Sequence, residues 1–143
     1  MKYKNLLDNG KIQAFDASRE EVLNLLQLAE RDLITAEKVL ELNTDWAFSI
    51  TYNSTLQASK AYMFHNGYRP SSFESHKAVF EFISIALGDQ LGEIISFIDR
   101  KRKKRHRAIY DQVGIVSIKE ANEFLAIAKE YVREIMKLLG STI

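Results

Sequence analysis

The chain has 143 residues, no cysteine, and 20 basic against 19 acidic side chains, for a formal charge of +1. A chain of this length buries roughly two thirds of its unfolded surface in one self-supporting core, and the lack of cysteine excludes thiol catalysis, cysteine-ligated zinc and disulfide frameworks. Charges that balance overall make any strong field a local one, and without an apolar run of roughly 18 residues or a secretion-type leader the expectation is a cytoplasmic protein with no membrane span.

A single proline, six glycines and helical periodicity almost throughout predict an all-α protein. Its architecture is expected to be an antiparallel up-and-down helical bundle of four to five helices. A short helical turn near Tyr3 to Asn9 falls in an N-terminal extension, residues 1–17, and the bundle occupies 18–143. The first long helix is expected at about 18–43, opened by Ser18 and Glu21 as a capping box, with Val22, Leu25, Leu26, Ala29, Leu33, Ala36, Val39 and Leu40 on one face. The second, at about 45–66, carries Trp46, Phe48, Tyr52 and Tyr62 among the small residues Ala47, Ser54, Ala58, Ser59 and Ala61. That band reads chiefly as core. Asn66-Gly67 and then Arg69-Pro70 stop it.

Ser71 and Glu74 form the next capping-box pattern and Gly88 the next stop, giving a helix at about 72–87. A helix at about 89–112 follows, and Ser117 with Glu120 opens the last one, at about 117–139, before Gly140. The last helix is amphipathic through Ala121, Phe124, Leu125, Ala128, Tyr131, Val132, Ile135 and Leu139.

The fourth long helix holds the most informative segment. Seven of the nine residues from Asp99 to Arg107 are lysine or arginine. Leu91, Ile94, Ile95 and Ile98 precede this block at buried-face spacing, and Ala108 and Ile109 resume the phase, so Arg102 and Arg105 occupy positions where core residues belong. Arginines on a packing seam require an anion, a water-filled groove or a partner subunit, which points to a cationic groove on a helical scaffold. His106 and Tyr110 are four apart and share a face with Arg102, while Arg105 lies about a quarter turn away. Such a set can grip a phosphate and supply a titratable imidazole. The plain alternative is a solvated charged face with an incidental histidine. His65, His76 and His106 lack metal-ligand spacing, and no glycine-rich phosphate loop or nucleophile elbow is present, so neither a metal nor a cofactor is expected.

Several segments, in this order and spacing, resemble proteins of the HEPN domain family: Asp45-Trp46-Ala47-Phe48 through Tyr52-Asn53, Gly67-Tyr68-Arg69-Pro70, Ser75-His76-Lys77, and Arg105 through Asp111 ahead of the Ser117 helix. The likeness covers roughly residues 18 to 139. It implies an up-and-down bundle, usually a homodimer, with a basic motif facing a cleft at the dimer interface. Many members of the family are ribonuclease toxins or partners of small nucleotidyltransferases. The family's nuclease motif is an arginine, a spacer of four to six residues, and a histidine, and two registers compete for it here. Arg100 and His106 fit the spacing literally. In the other register Arg105 takes the arginine position, His106 the polar position after it, and Tyr110 the histidine position, as in a HEPN branch with tyrosine at that site. The flanking alanine, tyrosine and aspartate favour the second.

A phenol with a reference pKa near 10 is a poor general base at neutral pH, so the resemblance implies a fold and a groove before it implies cleavage. The leading expectation is a homodimer that holds nucleotide or RNA phosphate through Arg102, Arg105, His106 and Tyr110. A nucleotidyltransferase would be its partner in a toxin–antitoxin-like pair. The competing expectation is a metal-independent endoribonuclease that uses Arg100 and His106, and a third is a dimeric adaptor.

Overall fold

The computed structural model describes residues 2–72 and 75–140. Among them are helices α1 (Lys4–Asp8), α2 (Arg19–Val39), α3 (Thr44–His65), α4 (His76–Tyr110) and α5 (Ile118–Leu138), with two short strands, β1 (Ile12–Ala14) and β2 (Tyr68–Pro70). The protein is an all-α bundle. Glu74 of the expected Ser71 capping pair and residues 141–143 of the expected bundle domain lie outside the described residues.

α2 begins as its sequence predicts. The Glu21 backbone N–H donates to Ser18 Oγ at 3.1 Å, and the Glu21 carboxylate accepts from the Ser18 N–H at 3.0 Å. It ends earlier than expected, at Val39, because the Val39 carbonyl accepts from both Leu42 and Asn43 N–H groups at 2.8 Å and turns the chain. Asn43 then acts as the cap of α3, its side chain accepting from the Trp46 N–H at 2.9 Å.

α3 is the central element, packing against α2, α4, α5 and β2. Thirteen of its 22 residues are buried, from Asp45 to Met63, which leaves it with little amphipathic contrast. A helix surrounded in this way needs small side chains at its contacts and an internal partner for each hydroxyl. Thr51, Ser54, Thr55 and Ser59 donate to carbonyls three or four residues back, at 2.6–2.8 Å. Phe48 and Tyr52 are fully buried as expected, whereas Trp46 is 55% exposed and does not join the core band.

α4 corrects the expected stop at Gly88. The helix continues past that glycine and breaks at Leu91, whose φ of −128° and ψ of 22° are non-helical. A straight helix would place His76 and His106 about 45 Å apart. Instead the chain folds back at the break. Lys77, Phe80 and Ser84 of the first limb share a crevice with Asp99 of the second, and His76 shares another with His106. α4 starts at His76, with Ser75 as its cap position and no side-chain cap bond, so the start expected at 72 is displaced; Ser71 lies in the turn, its N–H donating to the Lys11 carbonyl at 3.0 Å.

Strands were not expected. β1 and β2 pair antiparallel, with Ile12 opposite Pro70 and Ala14 opposite Tyr68. Gly67, at φ 88°, makes the turn from α3 into β2, and its carbonyl accepts from the Phe15 N–H at 2.8 Å. The residues expected as an extension lie on the bundle: Leu6 and Ile12 are buried in the core and Tyr3 stacks on Phe82 with ring centroids 4.3 Å apart. No helix among the described residues is long and apolar enough to cross a membrane.

α5 packs on α3 through Phe124, which lies 4.9 Å from Phe48 between ring centroids, and through Tyr131. The fully buried Tyr131 hydroxyl donates to Ser59 Oγ at 2.6 Å, Ser59 having given its own proton to the Thr55 carbonyl. Burial raises the Tyr131 pKa well above the ordinary phenol value, so it remains a neutral donor. Ser59→Ala leaves that donor without an acceptor and is expected to cost about 1–3 kcal/mol in denaturant unfolding, while adding Tyr131→Phe recovers most of the loss. Equal losses in the single and double variants would refute this account.

Candidate functional site

The second limb of α4 divides its cations between different partners. Lys101 donates to Glu120 at 3.0 Å, and Lys104 donates to the other oxygen of the same carboxylate. Glu120 thus forms only half of the expected capping box: its N–H donates to Ser117 Oγ at 3.0 Å, but its side chain holds the two lysines instead of reaching back. Burial opposes its ionisation, yet the hydrogen bonds from Lys104 and Lys101 outweigh that effect and keep its carboxyl below the ordinary range. Arg100 and Lys101 stand over the Phe97 ring, at 5.8 and 4.7 Å from its centroid.

Arg102 and Arg105 turn the other way. Arg102 donates from Nε to Asp99 at 3.0 Å, and Arg105 from Nε to Ser49 Oγ on α3 at 3.2 Å. The Arg105 guanidinium also lies 5.5 Å from the Tyr52 ring centroid. Among the described residues the terminal nitrogens of both guanidiniums have no hydrogen bond, which leaves the planar forks available for an anion.

Those forks line an open groove of about 890 Å³. The second limb contributes Arg102, Lys103, Arg105, His106 and Tyr110, so the four residues expected from the sequence to hold a ligand share one cavity. The His106 and Tyr110 rings are 4.9 Å apart between centroids. Across the groove stand Ser75, His76 and Lys77 at the start of α4. Tyr52 links the two sides: its hydroxyl is hydrogen-bonded to His76 Nδ1 at 3.1 Å while its ring carries Arg105. Desolvation raises the Tyr52 pKa far above the ordinary phenol value despite the opposing pull of Arg102 and Arg105, so the phenol is neutral at physiological pH.

Arg100 is placed elsewhere. It lines a larger cavity, about 1130 Å³, beside the bend at Leu91 with Asp89, Glu93 and Glu130. That cavity mixes acids with its one arginine, whereas the smaller groove gathers cations, so the chemistry of an anion site belongs to the smaller one. Arg100 and His106 therefore line different cavities, while Arg105 and Tyr110 line the same one. His65 lines a third crevice with Arg19 and Leu139, so the three histidines are not brought together.

The sequence assigns Tyr52 chiefly to the core, with its hydroxyl in a groove as the lesser alternative, and does not bring Ser49 or His76 to the basic block. Their signal is present but indirect: Ser49 and Tyr52 lie three apart on a helix, and His76 opens another, but only the reversal at Leu91 makes them neighbours of the basic block.

The end of α4 is tied to the start of α3. The buried Asp45 carboxylate accepts from the Gly114 N–H at 2.6 Å and the Val116 N–H at 3.3 Å, while Thr44 Oγ1 donates to the Val116 carbonyl at 2.7 Å. Gly114 supplies the positive φ, 74°, that this turn needs.

A family model described as HEPN domain matches residues 22–139, most of the chain. No curated protein matches it.

The Glu120 contacts carry a pH signature. A carboxyl held below its ordinary value of 4.5 stabilises the fold above that pH, and the contribution disappears as pH falls through the lower folded value. Glu120→Gln should therefore lower the denaturant midpoint at pH 7, with the gap to the unchanged protein closing as the pH drops below 4.5. A gap that persists undiminished in acid would mean the side chain acts by packing alone.

Proposed function

We propose, from the premise that this chain belongs to the HEPN domain family, that it binds the phosphate of a nucleotide or RNA in the groove between the two limbs of α4. The observation that carries this reading is the pair of guanidiniums anchored through Nε, with terminal nitrogens unbonded among the described residues, lining one cavity with His106 and Tyr110. Arg102 and Arg105 provide the bidentate grip, Lys103 adds charge, and His106 and Tyr110 add groups that donate or accept according to the oxygen presented.

The register of the family motif in this reading is Arg105 with Tyr110, in the branch where tyrosine stands at the histidine site. The functional unit is a homodimer, and its partner is a nucleotidyltransferase in a toxin–antitoxin-like pair. Two facing basic blocks repel each other, so a shared anion would hold them together. Light scattering in moderate salt with added phosphate should give the mass of two chains, and a single-chain mass would remove the dimer from the proposal.

Binding of single-stranded RNA should weaken steeply with salt, since each phosphate contacted releases condensed counterions. Arg102→Ala with Arg105→Ala should lower the slope of log affinity against log salt by about 1.4, for two single-strand contacts. An unchanged slope would reduce the block to a solvated surface. The same samples incubated with chelator separate binding from catalysis. Intact RNA agrees with a phenol at the base position, while rapid cleavage that is lost on His106→Ala and kept on Tyr110→Phe would establish the endoribonuclease reading instead.

A further inference from the structure

Eight large apolar side chains stand exposed among the described residues, and five of them gather at one end of the bundle: Leu42, Trp46, Tyr110, Val113 and Ile118. The ties from Thr44 and Asp45 to Gly114 and Val116 place the turn after α2 beside the loop after α4 and so bring these five residues to the same end. Trp46 sits on α3 between the Asp45 tie and the contact of Ser49 with Arg105. Asp45 beside it holds the loop, and Ser49, one turn further on the same side, receives Arg105. Val113 is 96% exposed and Leu42 is 85% exposed, exposures that leave an apolar shelf uncovered in the single chain. Tyr110 belongs to both features, since it is exposed on this shelf and also lines the cationic groove.

A cationic groove that shares Tyr110 with an end carrying an exposed tryptophan matches a ligand that alternates anions with flat apolar faces. A mononucleotide has one face to offer. A duplex keeps its bases stacked inside. The repeating chemistry that fits both parts is a single-stranded polynucleotide, with phosphates on guanidiniums and unpaired bases on aromatic rings. We propose that Trp46, with Tyr110, forms a base-stacking subsite next to the phosphate groove, so that this end of the molecule selects single strands over mononucleotides and duplexes. The proposal rests on the groove reading above and adds a residue outside the groove to it.

Trp46 is the one tryptophan in the chain, so its fluorescence reports on the shelf without labelling. The full-length protein is titrated with a short oligouridylate, an abasic oligomer of the same length, and uridine monophosphate. The expected result is quenching by the oligouridylate, salt-sensitive binding of the abasic oligomer without quenching, and only weak binding of the monophosphate. Trp46→Ala should weaken the oligouridylate by about tenfold and leave the abasic oligomer unchanged, with Trp46→Phe restoring most of the loss. Equal affinity for the oligouridylate and the abasic oligomer, with unmoved fluorescence, overturns the stacking subsite and leaves the phosphate groove intact. Failure of both oligomers to bind overturns the two together. A self-association seen by light scattering and abolished in Trp46→Ala, with fluorescence indifferent to RNA, would assign the shelf to a second copy of the chain and overturn the proposal.

Discussion

The structure depends on keeping one helix, α3, buried on nearly every side. Such a helix cannot be stabilised by an apolar stripe against a solvated back, because it has no solvated back of any width. Its sequence solves the problem with alanines, serines and threonines at close contacts and with hydroxyls that return to the helix's own carbonyls. This arrangement places two polar groups at its margin, Ser49 and Tyr52, where they receive Arg105. An arginine seated on a neutral, hydrogen-bonded phenol is held without being neutralised.

The second determinant is the reversal at Leu91. It turns a stretch of sequence whose ends would be far apart into two walls of one groove. The first wall begins with His76 and the second is the basic block, and Tyr52 spans the space between them. The cation count is a poor guide to this site. Lys101 and Lys104 are committed to Glu120, and Arg100 faces the cavity at the bend, so the groove relies on a minority of the block. The near-zero net charge of the whole chain fits with that division, since the field that matters extends over little more than a Debye length, about 8 Å at physiological salt.

Much of this was legible in the sequence. The faces of α2 and α5 follow the apolar spacing, with Leu26 and Ala29 or Phe124 and Ala128 buried where the period places them. Arg102 and Arg105, anomalous in phase in the sequence, both line the groove with His76 and Lys77 of the first limb, and Arg105 also donates to Ser49 of α3. Other features were hidden for physical reasons. Three-residue strands are too short to display alternation, so β1 and β2 left no trace in the pattern. Gly88 has the composition of a stop but sits in helical backbone, while Leu91, a good helix former, takes the break. Trp46 shares its helix with a core band but falls on the narrow strip that neighbours leave uncovered. His76 carries no local mark of its role because its partner, Tyr52, lies on another helix.

The Glu120 contact also has a geometric meaning. Lys101 and Lys104 are each followed at once by an arginine, and successive residues on a helix are turned by about 100°. Fastening the two lysines to a fixed point on α5 therefore sets the rotation of the whole second limb about its own axis, and with it the direction in which Arg102 and Arg105 project. The carboxylate works as an index pin on a shaft: it touches nothing in the groove, yet it determines which spokes of the helix face it.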